Sequence, residues 1–79
     1  MKFELYTDVA LLHDFPRHNL RRGDIVRPVE HHVGRDGAEG YSVEVLGARG
    51  QTLAVVAVPA ASLGILHDDE VLSARKLSA

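Results

Sequence analysis

Turn-forming residues interrupt this chain at such short intervals that a long helix has no room to form. Three glycines fall within residues 34–40, residues 47–50 read Gly-Ala-Arg-Gly, and Pro59 ends a β-branched run. Glycine and proline interrupt regular structure most strongly, and glycine reaches the positive φ angles that tight turns need. Between these breaks the apolar residues alternate or form short continuous runs, which is typical of strands. The pattern predicts an all-β protein.

Five short strands account for the extended runs. They are predicted at residues 5–13, 25–33, 41–46, 51–59 and 67–77, the last centred on Val71 and Leu72. Residues 60–66 are too few for a stable helix and predict a short 3₁₀ turn before the last strand. We expect a small closed five-stranded β-barrel, because closure leaves no long apolar edge open to other chains.

Length and composition limit the protein to one small domain. A chain of 79 residues, 46% hydrophobic and 25% charged, is expected to fold as a single domain over residues 1–79. The lack of cysteine excludes disulfide bonds and thiolate metal sites and favours a reducing, cytoplasmic location. A signal peptide needs an unbroken apolar segment near the N-terminus, and here Glu4 and Asp8 interrupt it. No segment approaches the roughly 20 apolar residues of a membrane span. We expect a soluble protein without membrane contact.

Pro28 stands inside the second predicted strand, where a proline is unusual. It lacks the N–H that a central strand donates, so it predicts a bend or an exposed edge. His31 and His32 follow closely, and adjacent strand residues point to opposite faces of a sheet. At most one of these histidines can join any single site, and we expect both to lie toward solvent.

The histidines do not have the spacing of a metal site. They are His13, His18, His31, His32 and His67. Zinc needs three or four converging ligands, and the usual ligand pairs are missing, although Asp14, Asp68 and Asp69 could add oxygen atoms. We expect no metal and no cofactor, and a metal-dependent role is the least favoured alternative.

The sequence also lacks a recognisable catalytic group. Ser42, Ser62 and Ser73 all lie outside the Gly-x-Ser-x-Gly turn that exposes a nucleophile. A barrel of this size is filled by its own side chains, which leaves little room for a substrate. We therefore expect a protein that is not an enzyme.

Four arginines cluster within eleven positions and allow two interpretations. They are Arg17, Arg21, Arg22 and Arg27. In the first, Asp14, Asp24 and Glu30 balance their charge in a solvated loop. In the second, the arginines face RNA phosphates or an acidic protein partner. Because the net charge is −2 and only Phe15 is near enough to stack on a base, a protein partner is favoured over nucleic acid.

The fourth predicted strand is apolar on both faces. Leu53, Val55 and Ala57 alternate with a second set, which consists of Ala54, Val56 and Val58. One face must point inward, so the other is either covered by residues 63–66 or exposed as a protein-binding patch. We predict that Ala54, Val56 and Val58 bind a partner, which could be a second copy in a homodimer.

Two long stretches of the chain resemble a known family. Residues 8–24 read DVALLHDFPRHNLRRGD, and residues 41–58 read YSVEVLGARGQTLAVVAV. An apolar strand, a Leu-basic-x-Gly-Asp turn, a Tyr-x-Val-Glu strand, a glycine turn and an alanine-containing strand follow in that order. This order is similar to that of the short bacterial proteins known as domain of unknown function 4926, and Leu63 and residues 69–77 fit its closing part.

The resemblance implies an SH3-like small barrel and no enzymatic activity. Some family members look like partners in toxin–antitoxin or immunity-type gene pairs. The chain departs from the family where Val26-Arg27-Pro28-Val29-Glu30 replaces the usual Gly-Thr-Val-Val-Glu. The glycine that bends this strand is lost, and Pro28 is expected to replace it.

These observations predict a non-catalytic protein-interaction module, and the resemblance implies a bacterial protein that forms one half of a toxin–antitoxin or immunity-type pair. The alternative is a small RNA-binding barrel that uses the arginine-rich loop. The two hypotheses predict different distributions of surface charge, because binding of nucleic acid needs a contiguous basic face and binding of a protein partner does not.

Overall fold

The computed structural model describes residues 2–77 as five antiparallel strands in one sheet. The strands are β1 (Val9–Leu11), β2 (Ile25–Val33), β3 (Glu39–Leu46), β4 (Thr52–Pro59) and β5 (Leu63–Ile65). Short 3₁₀ turns occupy Pro16–His18 and Ala60–Ser62. The structure confirms the prediction of an all-β protein with five strands and a 3₁₀ turn before the last one. The strand order is β4-β3-β2-β1-β5, so β4 and β5 are the edges of the sheet, and within residues 2–77 they do not pair to close it as the expected barrel requires.

Two glycine turns build the β2–β3–β4 meander. The Gly34 N–H donates to the Ala38 carbonyl at 2.8 Å across the first turn, and the Gly47 N–H donates to the Gln51 carbonyl at 2.7 Å across the second. Gly37 and Gly50 have φ angles of 82° and 83° in these turns. Residues with a Cβ rarely adopt such angles, which explains why glycine stands at both places.

Pro28 lies at a β-bulge in β2. The register passes from Pro28 opposite Val43 to Glu30 opposite Ser42, which leaves one extra residue on β2. The Pro28 carbonyl accepts a hydrogen bond from the Tyr6 N–H at 2.7 Å. The nitrogen and oxygen of a strand residue point to the same side, so the missing N–H of Pro28 faces the N-terminal segment rather than β3. The prediction that this proline marks a bend is confirmed.

The core is mainly aliphatic, with one tyrosine at its centre. Its buried residues are Phe3, Val9, Leu11, Leu20, Val26, Tyr41, Val43, Val45, Val56, Val58 and Leu63. The Phe3 N–H donates to the Tyr41 hydroxyl at 3.1 Å, and the two rings meet edge to face at 5.7 Å. This contact satisfies the buried hydroxyl and ties the N-terminal segment to β3.

The predicted last strand at residues 67–77 is wrong. The last strand is β5, which pairs with β1 through Leu11 opposite Leu63 and lies inside the segment predicted as a 3₁₀ turn. The first strand is shorter than predicted, so β5 has only three residues of β1 to pair with. Val71 and Leu72, expected at a strand centre, are instead 93% and 62% exposed.

None of the helical segments in the described part of the chain has the length and apolar character that crossing a membrane would require.

Candidate functional site

The inner face of β4 belongs to the core. Val56 and Val58 are 8% and 3% exposed, and Ala54 packs against the same cluster. Pairing with β3 causes this burial, because Val56 lies opposite Val43 and Val58 lies opposite Tyr41. The expectation that Ala54, Val56 and Val58 form the outward face of this strand is therefore wrong, because Val56 and Val58 are buried and Ala54 is half-buried against the same cluster.

The exposed apolar set on β4 is the other one, Leu53, Val55 and Ala57, named here the outer β4 face. Leu53 is 46% and Val55 58% exposed, and Ala57 is exposed as well. Residues 63–66 do not cover this set, because Leu63 is buried in the core on the opposite side. Leu53 also lines a groove of about 520 Å³ beside Leu72, so Val55 and Ala57 form the more open part.

The outer β4 face lies on an edge strand. Within residues 2–77, β3 is the only neighbour of β4 in the sheet. Edge strands usually carry charges, prolines or bulges that prevent pairing with other chains. In β4, Pro59 and a register irregularity opposite Leu46 protect only the two ends, and the eight residues include no charged side chain. The central part of β4 has none of these protective features.

The predicted arginine cluster divides into two parts. The Arg27 guanidinium lies on β2 and donates to Asp8 Oδ1 from Nε at 3.1 Å and from Nη2 at 3.0 Å. This ion pair neutralises Arg27 locally, although both side chains remain partly exposed. Arg17, Arg21 and Arg22 stay together on the exposed loop between β1 and β2.

Two aspartates hold that loop through its backbone. The Arg22 N–H donates to Asp14 Oδ1 at 2.8 Å, and the Arg21 N–H donates to Asp24 Oδ2 at 2.7 Å. Asp14 and Asp24 were expected to balance the arginine side chains, but here they bind arginine N–H groups of the main chain. Among the described residues, the guanidinium groups of Arg17, Arg21 and Arg22 form no ion pair.

The residue that sequence reasoning missed is Arg75. Its Nε donates to Asp24 Oδ1 at 3.0 Å, and its Nη2 donates to Asp24 Oδ2 and, at 2.7 Å, to the Asn19 carbonyl. The hydrogen bonds that Arg75 donates to the Asp24 carboxylate raise the pKa of Arg75 above its ordinary value. These contacts, named here the Arg75 latch, fix the C-terminal segment against the arginine loop. No spacing in the sequence connects positions 24 and 75.

The latch also brings charges of both signs together. A cavity of about 280 Å³ is lined by Asp14, Arg21, Arg75 and Lys76, among others. Asp24 neutralises Arg75, and Asp14 places a carboxylate in the same wall. The basic surface at this end is therefore interrupted by acidic side chains.

His31 and His32 point to opposite faces, as predicted. His31 packs beside Tyr41 with the ring centres 5.0 Å apart, and its buried Nε2 lies 3.5 Å from Glu39 Oε1. The expectation that both histidines lie toward solvent is thus wrong for His31, because the bulge after Pro28 turns it to the core side. Within residues 2–77, no three metal-ligating side chains come together.

On the outer face His32 meets a serine and a glutamate. Its Nε2 lies 2.7 Å from Ser42 Oγ and 3.4 Å from Glu30 Oε1. A catalytic relay needs the hydroxyl on one imidazole nitrogen and the carboxylate on the other. Here both groups face the same nitrogen, so the arrangement is a surface polar contact rather than a relay.

Comparison with known proteins assigns the chain to a family. No curated protein and no solved structure matches it significantly. The family model for a domain of unknown function (DUF4926) matches residues 5–65, which include all five strands and the outer β4 face. The match ends at the last residue of β5, so Arg75 lies outside it, whereas its partners Asp24 and Asn19 lie inside. Because the match covers most of the 79 residues, the chain belongs to the DUF4926 family.

Proposed function

We propose that this protein is a non-catalytic protein-interaction module that binds an extended segment of a partner along β4. One observation carries the proposal: β4 is an uncharged edge strand of eight residues whose outer side chains are apolar and exposed. Addition of a strand to such an edge is a recurrent mode of recognition, in which main-chain hydrogen bonds supply affinity and alternate side chains supply selectivity.

The free-energy contributions expected for this contact support a modest affinity. Complete burial of a valine or leucine side chain contributes about 1.5–3 kcal/mol, and Val55 and Leu53 are already about half buried. Each added main-chain hydrogen bond contributes about 0.5–1.5 kcal/mol net. Ordering the partner opposes both gains. A partner that presents β-branched residues opposite Val55 and carries no acidic group near Glu44 fits this surface.

The proposal extends to the biological setting. The family resemblance supports a partner from a toxin–antitoxin or immunity-type pair, which this module binds or neutralises. The lack of cysteine supports a reducing, cytoplasmic location.

Two matched lysine variants test the role of β4. Val55 and Val33 are the same residue type with similar exposure, 58% and 62%, but Val33 lies at the end of β2. We expect Val55→Lys to abolish capture of a partner that the wild-type protein retains, and Val33→Lys to leave it unchanged. The captured protein is then purified and titrated, and hydrogen exchange must show new protection of β4 amides in the complex. Equal binding by both variants, or protection elsewhere, would contradict the proposal.

RNA binding through the arginine loop is the second candidate function. The observation in its favour is that the guanidinium groups of Arg17, Arg21 and Arg22 form no ion pair within residues 2–77, and that Lys76 lines a cavity beside Arg21. The test is a titration with single-stranded RNA at several salt concentrations. Phosphate binding predicts an affinity that falls with salt and is reduced by Arg21→Gln. Absent binding, or binding without salt dependence, rejects this candidate.

A further inference from the structure

We infer that the strand added to β4 is β4 of a second copy of this chain, paired antiparallel across a two-fold axis. This inference rests on the proposed role of β4 as a strand-accepting edge, and a different partner protein would compete with the second copy for that edge. The two five-stranded sheets would then continue into one sheet of ten strands. The other edge, β5, has only three residues and offers too short a pairing surface.

The side chains of β4 fit this self-pairing. When the two-fold axis passes beside Val55, Val55 faces Val55 of the second copy, and Leu53 faces Ala57 of the second copy. A large side chain therefore meets a small one, and valine meets valine, so all outer contacts are apolar. β-Branched pairs directly opposite each other contribute favourably to antiparallel sheets. The interface is isologous, as in most homodimers.

The charges around β4 permit the pairing. The nearest acidic side chain on the outer face is Glu44, which lies opposite Val55 on β3 and accepts a hydrogen bond from the Thr52 hydroxyl at 3.0 Å. Three strand spacings separate Glu44 from Glu44 of the second copy, about 14 Å. That separation exceeds the Debye length of about 8 Å at physiological ionic strength, so their repulsion is largely screened. Glu44 in turn lies opposite Arg27 on β2.

The contact area sets the strength of the dimer. An eight-residue strand is about 26 Å long, and one pair of such edges buries less than the roughly 1,200 Å² of standard interfaces. We therefore expect a reversible dimer whose population changes with protein concentration in the micromolar to millimolar range.

Sedimentation of the purified chain over that range tests the inference. We expect the average mass to rise from monomer to dimer for the wild-type protein and for Val33→Lys. Val55→Lys should stay monomeric, because two lysines would face each other across the axis, and Val55→Glu should do the same. A thermal melt confirms that each variant is folded, which the exposure of Val55 makes the expected result.

A mixture of Val55→Lys and Val55→Glu tests the register itself. Since residue 55 faces residue 55, the mixture should form a heterodimer at concentrations at which each variant alone is monomeric, and the heterodimer should weaken with salt. A wild-type protein that is monomeric throughout, or a dimer that survives Val55→Lys, would overturn the inference, as would a mixture without heterodimer. If the wild-type protein is monomeric but Val55→Lys still loses a captured partner, the proposed function stands and only self-pairing fails.

Discussion

Val55 and Val56 are neighbours of the same residue type, yet they belong to opposite faces of the sheet. Val56 is 8% exposed and packs against β3 in the core, whereas Val55 is 58% exposed beside Glu44. The inner face of the meander holds the only fully buried tyrosine of the described residues, and the outer face holds serine, histidine and acidic side chains. The comparison shows that equal hydrophobicity does not mean an equal role: one set of β4 residues stabilises the fold, and the other is available for binding.

The largest expected difference in thermal stability is between variants that place a charge on the inner or on the outer face of β4. Val56→Lys buries an ammonium group without a partner, which costs several kcal/mol and approaches the whole stability of a small domain. We expect no cooperative thermal transition for this variant, whereas Val55→Lys should melt close to the wild-type temperature. Circular dichroism during heating measures both. Similar melting temperatures for Val56→Lys and Val55→Lys would contradict the assignment of Val56 to the core and Val55 to the surface.

A milder pair measures the same contrast in folded proteins. Val56→Ala leaves a cavity in the core and is expected to cost about 2 kcal/mol, a fall of roughly 10 °C in Tm for a domain of this size. Val55→Ala should change the free energy of unfolding by less than about 0.5 kcal/mol. Urea unfolding at a fixed protein concentration gives both values, and equal losses would contradict the assignment of the two faces.

Removing a polar group from the inner face should cost more stability than removing one from the outer face. Tyr41→Phe removes the acceptor of the buried Phe3 N–H and is expected to cost about 1–3 kcal/mol. Ser42→Ala removes an exposed contact with His32 and should change stability by less than about 0.5 kcal/mol. Urea unfolding compares the two, and hydrogen exchange at Phe3 should accelerate only in Tyr41→Phe. Unchanged exchange at Phe3 would contradict the role given to the hydroxyl.

The smallest effects on global stability are expected at the two arginine–aspartate pairs. Arg27→Lys should change it by less than about 1 kcal/mol, because the pair with Asp8 is partly exposed. Arg75→Lys loses the two-pronged contact with Asp24, so residues 71–77 should become more accessible to protease while the sheet stays intact. Limited proteolysis with mass spectrometry measures cleavage within residues 71–77. Equal cleavage of the wild-type protein and Arg75→Lys would show that Arg75 does not hold this segment in place.

The Arg75 latch also has a defined pH dependence. The pKa of Arg75 is raised in the folded protein by its hydrogen bond to Asp24, so at neutral and mildly alkaline pH, below the ordinary pKa of arginine, the contribution of Arg75 to stability is fully present. It is lost only as the pH rises through the raised value. Protease sensitivity of the C-terminal segment should therefore stay constant between neutral pH and about pH 9, because arginine remains charged throughout. A rise in sensitivity within that window would contradict the arginine as the anchoring group.

Sequence reasoning predicted much of the fold because turns and alternation are local. The bounds of β2 agree with the prediction, β3 and β4 differ from it by a residue or two, and Pro28 marks the bulge. The last strand was misplaced, because its position depends on where β1 can accept a partner. The candidate site was predicted to lie on β4 but on the wrong face, since two alternating apolar sets look equivalent until β3 covers one of them.

The sequence by itself determined that this chain is all-β, where its meander turns, and that β4 is apolar on both faces, because these properties depend on neighbouring residues. Only the tertiary structure decided that Val56 and Val58 are buried while Val55 is exposed, and that Arg75 reaches Asp24. The physical reason is that both facts depend on pairing and packing between distant segments, and no local pattern of residues specifies which face meets the core.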